Sequence, residues 1–195
     1  MTPTPGDASG ADALRARLGK GARYDAPDAP AEALRQARRG MAYFARHLNA
    51  LPDEGLAMPS RVPGWRCAHL VAHVSLQARA QALALAALRG QVSDEDEDWS
   101  NDIDLAATLP TRALRHLFEH AHVHVNVEWR DLTSAQWAET VVLSDGLTVR
   151  ASDLPMLQAS LLWWGAVALG AGATKGEIPA GVACQDGRLL NAAKT

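Results

Sequence analysis

Leu154-Pro155-Met156-Leu157-Gln158-Ala159-Ser160-Leu161-Leu162-Trp163-Trp164-Gly165-Ala166-Val167-Ala168-Leu169 runs without a charged residue and stops at Gly170-Ala171-Gly172. Proline in the opening turn and glycine just past the last apolar residue punctuate a helix. Its leucines, tryptophans and Val167 leave almost no polar face, and a helix apolar all round has to be covered on all sides. Pro155, Gln158 and Ser160 interrupt the run, and no second span or basic flank accompanies it, so it reads as a buried helix and not as a membrane span. In a bundle each helix normally keeps one wet face. The excess apolar surface therefore calls for cover from the C-terminal tail or from a second subunit, and a homodimer through this helix is the expectation.

Upstream, the turn Val141-Val142-Leu143-Ser144-Asp145-Gly146-Leu147-Thr148-Val149 reads as a two-stranded hairpin with an Asp-Gly turn. Before it, Leu114, Leu117, Phe118, Ala121, Val125 and Trp129 form one broad stripe, which predicts a third helix from about Pro110 to Leu132. Its centre, Ala121 to Val127, also alternates with a period of two, but its length and flanks favour helix. A second helix is expected over Cys67–Arg89, closed by Gly90, and a first over Ala29–Asn49, with Leu34, Ala37, Met41, Phe44 and Leu48 on one face. Alanine makes up about a fifth of the chain, in keeping with a mainly helical protein. The predicted fold is all-α: a four-helix bundle over 29–174 with a small β-hairpin between helices three and four, a flexible segment over 1–28 and a tail over 175–195 that wraps the surface or frays. Asp94-Glu95-Asp96-Glu97-Asp98 lacks the ligand spacing of a calcium loop and reads as solvated.

The chain has 195 residues, enough for one domain with a sizeable core. A formal charge of −3 offers no cationic surplus for a phosphate backbone, so nucleic acid is not an expected partner. Neither is a membrane. Cys67 and Cys184 are too few for a disulfide framework, and no signal peptide is recognisable, which predicts a cytoplasmic protein. Nucleophile elbows, phosphate loops and dinucleotide fingerprints are absent.

Chemistry is expected among the histidines. His69 and His73 lie one turn apart on helix two, a spacing that suits joint metal binding or divided acid and base roles and equally suits one exposed and one core histidine. His116 and His120 fall outside the apolar stripe of helix three and read as solvated, while His124, at its edge, remains a pocket candidate. Cys67 opens helix two, where the helix dipole can lower a thiol pKa, though an inert small residue explains it as well.

The block Pro59-Ser60-Arg61-Val62-Pro63-Gly64-Trp65-Arg66-Cys67-Ala68-His69-Leu70-Val71-Ala72-His73, followed by Leu132-Thr133-Ser134-Ala135-Gln136-Trp137, the hairpin, Ala151-Ser152-Asp153-Leu154-Pro155 and Leu169-Gly170-Ala171-Gly172, resembles the N-terminal domain of the mycothiol-dependent maleylpyruvate isomerase family. The resemblance covers roughly Leu34 to Ala180 and implies a DinB-like four-helix fold. It also implies a divalent metal, typically zinc, held by a histidine on helix two and two residues one turn apart on helix four, with a low-molecular-weight thiol as co-substrate. His73 matches the first ligand. The other two positions fall at Leu161 and Gly165, which cannot coordinate, the family's aspartate near the end of helix four falls at Ala168, and its arginine falls at Ser160.

With one family ligand surviving, the expected site is a metal-free, apolar, aromatic-walled pocket for a small organic molecule, contacted by Trp65, Leu161, Trp164 and Gly165. No cofactor is predicted, with zinc and a thiol left open by the resemblance. The favoured reading is a metal-independent isomerase-type or related enzyme of specialised metabolism, with His73 as general acid or base assisted by His69 or His124. The alternatives are a catalytically silent binding or partner protein, and a thiol-dependent metalloenzyme whose ligands are rebuilt from His69, His73, His124 and Glu128.

Overall fold

A computed structural model of the chain describes residues 25–91, 101–187 and 189. Four long helices carry the fold: α1 (Ala31–Ala50), α2 (Cys67–Leu88), α3 (Thr111–Asp131) and α4 (Leu154–Leu169). Each lies within two residues of its expected bounds. The centre of α3 is helical throughout, so the alternating run Ala121 to Val127 obeys the helical period of its flanks. The hairpin consists of β1 (Thr140–Val142) and β2 (Thr148–Arg150), antiparallel, with Val141 opposite Val149 and Gly146 at φ 84° in the tight turn. The acidic run 94–98 and most of the expected flexible N-terminal segment lie outside the described residues.

α1 packs chiefly on α4 and α2 on α3, with α2 and α4 meeting across the middle. The amphipathic α1 buries Leu34, Ala37, Phe44 and Leu48, whereas α2 and α4 are buried on nearly every side. Gly170 caps α4 in the left-handed conformation, φ 75°, which glycine adopts without steric cost. The Pro59–Arg66 connector fastens this end: Arg61 N donates to Ala168 O at 2.8 Å, and Ser60 N to Trp65 O at 2.8 Å. That proline- and glycine-rich block is thus a latch between α2 and α4.

The cover that α4 requires comes from its own chain. Thr174 to Glu177 docks on α1, where Tyr43 Oη donates to Glu177 Oε2 at 2.8 Å. Trp164 Nε1 donates to Val182 O at 3.1 Å, and Gln185 N donates to Ser160 Oγ at 2.9 Å. The tail wraps the bundle, and the apolar face of α4 does not call for a second subunit. Among the described residues no helix is long and apolar enough to cross a membrane.

One close approach sets the α1–α4 distance. A Cβ added to Gly40 would stand 3.0 Å from Trp163 Nε1 and 3.1 Å from Leu162 Cβ. Trp163 in turn donates to Gln36 O and stacks on Tyr43 with ring centroids 4.4 Å apart. Gly40→Val should therefore lower stability by about 1–3 kcal/mol, despite leaving the helix-poor glycine, because the indole must leave its seat. Chemical denaturation checks this, and an unchanged midpoint would show that the two helices can part without loss.

Candidate functional site

Along α2, His73, Gln77 and Gln81 recur about once per turn and form a polar stripe on one face. The stripe is one wall of a cleft of about 710 Å³. Leu157, Ser160 and Leu161 of α4 form the facing wall, the hairpin contributes Leu143 and Leu147, and Gln185 and Asp186 of the tail close one side. A cleft of this size lies in the range that takes drug-sized molecules.

At one end of the stripe His73 Nε2 stands 2.8 Å from Asp186 Oδ2. An ionised carboxylate only accepts, so Nε2–H donates to it and the ring tautomer follows. His73 Nδ1 is buried with no hydrogen-bond partner among the described residues, and the edge of Trp65 packs near the ring with centroids 5.2 Å apart. Asp186 is itself held, since its Oδ1 accepts from Leu189 N at 3.2 Å. The pair joins residues 113 positions apart.

Behind the opposite end of the stripe lies a buried relay. His122 Nδ1–H donates to Phe118 O at 2.7 Å, Gln158 Nε2 lies 3.0 Å from His122 Nε2, and Gln81 Nε2 donates to Gln158 Oε1 at 2.9 Å. Burial, with no charge to offset it, pushes the His122 pKa down to about 4, so the ring is neutral near pH 7.

Of the residues expected at the site, His73 and Leu161 line the cleft and the others do not. His69 is occupied as a helix cap, its Nδ1 accepting from Arg66 N at 3.3 Å, with Asp104 3.7 Å from its Nε2. His124 lies 3.5 Å from Glu128, which accepts from Arg89 at 2.6 Å in a separate charged cluster that also includes Asp131. Trp65 packs on His73 but does not line the cleft. Trp164 turns to the tail. Gly165 faces the core, where a Cβ would meet Phe44 at 3.2 Å and Val74 at 3.4 Å. The expected aromatic wall is therefore a mixed one, leucine on one side and amide, imidazole and carboxylate on the other. Cys67 is buried, its Sγ directed at Leu169 O at 3.5 Å, and burial pushes its thiol up, against activation by the helix dipole. Asp186, Gln81 and His122 were missed. The once-per-turn stripe His73, Gln77, Gln81 was the readable signal for one of them.

For a metal, the donor set does not fit. His73 and Asp186 supply two donors, Leu161 and Gly165 supply none, and among the described residues no group of three or more histidine, cysteine, aspartate or glutamate side chains could hold an ion. The rebuilt set of His69, His73, His124 and Glu128 is not assembled, because His69 and His124 are each engaged elsewhere.

Four helices in this order with a hairpin before the last define the DinB-like class. Within it, residues 37–163 match the family described as the mycothiol maleylpyruvate isomerase N-terminal domain, and the chain belongs to that family. Crystal structures of the mycothiol-dependent maleylpyruvate isomerase and of a histidine-to-alanine variant superpose with a TM-score of 0.68 at 33% identity, each over 77% of this chain. The chain spans 64% of the length of those proteins. No curated protein sequence matches the chain significantly.

Proposed function

We propose that this protein is a small-molecule enzyme of isomerase type whose His73–Asp186 pair moves a proton at a molecule bound in the cleft. The carrying observation is the 2.8 Å contact between the two groups at the wall of a cleft of about 710 Å³. Imidazole and carboxylate at hydrogen-bond distance share one proton. Together they can take a second from a carbon acid or return it to a developing anion, spreading the charge over both groups. Leu157 and Leu161 exclude water from one side, which strengthens the electrostatic action of the pair.

Family membership supplies the first substrate to try, maleylpyruvate, and mycothiol as its co-substrate. The assay follows the vinyl protons of maleylpyruvate by NMR with and without mycothiol. Conversion that requires His73 supports the reading. Absence of conversion by well-folded protein under both conditions, or conversion indifferent to His73, overturns it for this substrate class. A silent binding protein is the second reading, favoured by Leu161 and Gly165 standing at positions where the resemblance implies ligands.

A further inference from the structure

The relay beneath the cleft has a fixed polarity. Phe118 O is only an acceptor, so the single proton of neutral His122 sits on Nδ1 and its Nε2 must accept. Gln158 therefore presents its NH₂ to the ring and its carbonyl to Gln81. Gln81 gives its NH₂ to Gln158, and its Oε1 is left buried with no partner among the described residues, although Gln81 lines the cleft and is 1% exposed. An acceptor kept dry and unpaired is unfavourable, and a donor arriving with a ligand removes that penalty.

We infer that Gln81 is a specificity-determining residue of the cleft, its Oε1 accepting a hydrogen bond from an N–H or O–H group of the bound molecule. This rests on the proposal that the cleft binds a small-molecule substrate, and it adds what that molecule must carry. Eight residues of α-helix separate His73 from Gln81, a rise of about 12 Å. A molecule that reaches both is elongated, with its reacting atoms at the His73 end and an amide, amine or hydroxyl donor at the other. Acceptor-only groups such as carboxylate, ether or tertiary amide are disfavoured at that end, since they would face a carbonyl oxygen, so a short dicarboxylate such as maleylpyruvate is accommodated only at the His73 end. The selectivity is thus set by His122, although it lies behind Gln158 and Gln81.

The test uses matched probes that differ only in the donor: benzamide with N,N-dimethylbenzamide, benzyl alcohol with benzyl methyl ether, and indole with N-methylindole. Each is titrated into isotope-labelled full-length protein and followed by NMR. The donor-bearing member of a pair should bind about tenfold more tightly or better than its blocked partner, and should move the side-chain Cδ resonance of Gln81. In Gln81→Met the difference within each pair should vanish. The wild-type measurement stands alone should that variant fold poorly. In His73→Ala the difference should persist, which separates failure of this inference from failure of the proton-transfer reading. Equal binding within the pairs, absence of binding by every probe, or binding that leaves Gln81 Cδ unmoved overturns the inference. So does a nitrogen spectrum placing the His122 proton on Nε2.

Discussion

His73→Ala should lower turnover by about 10²- to 10⁴-fold while leaving the bundle folded. The imidazole is the one titratable side chain that α2 presents to the cleft, and its loss leaves the Asp186 carboxylate without the proton it shares. Asp186 keeps some access to water, its side chain being 17% exposed, so it can be rehydrated and the fold is not burdened with a dry charge. The tail stays anchored through Gln185 N on Ser160 Oγ and through Val182 O on Trp164. Asp186→Asn should cost turnover on the same scale, and the double variant should be no slower than the worse single one, because two groups sharing one proton act as a unit. Steady-state rates on the four proteins check this. Additive losses would mean that the two side chains act separately, and losses matched by falling thermal stability would reduce the pair to a clasp for the tail.

Acidification should weaken the fold through His122. Its pKa falls from near 6.5 in the unfolded chain to about 4 in the core, so between those values the unfolded state binds a proton that the native state refuses. Stability is therefore lost as pH drops from about 6.5 to 4. The difference corresponds to about 3 kcal/mol at the acid end of the window and to nothing above it. The physical cause is twofold: the ring is fully buried, and its Nε2 is committed to accepting from Gln158. Urea denaturation across the window reports the slope. His122→Gln, which carries no titrating group, should flatten the curve relative to wild type, even though carboxylates titrate in both. An identical slope in the variant would place the proton uptake elsewhere.

How far the site could be read in the sequence differs from residue to residue. Of the residues that line the candidate cleft, His73 stands out in the block that opens α2, and Leu161 is reached only through the register that the family resemblance implies for α4. His69 and His124 share the residue type and the helical spacing of His73, yet their rings are spent on Arg66 N and on Glu128. Spacing along a helix specifies a face; it does not say what stands opposite. Trp164 and Gly165 illustrate this on α4, where one turns to the tail and the other to Phe44, each within a turn of Leu161. Asp186 carried no local signal at all, because a tail interrupted by glycine and proline has no periodicity from which an inward direction can be read.

What the residues determined alone is the set of elements. Periodic apolar stripes, glycines just past the helix ends and the Asp-Gly turn act within a few residues of themselves, so the four helices and the hairpin follow from local chemistry. The largely apolar α4, without a charged residue, also dictated that something must cover it. Only the tertiary structure decided that the cover is the chain's own tail, and that in wrapping it the tail delivers a carboxylate to His73. It decided likewise that Gln81, Gln158 and His122, drawn from three helices, form one oriented chain of hydrogen bonds. Contacts of that kind depend on which faces meet across the core, a long-range choice made by the packing of the whole bundle and not by any one segment.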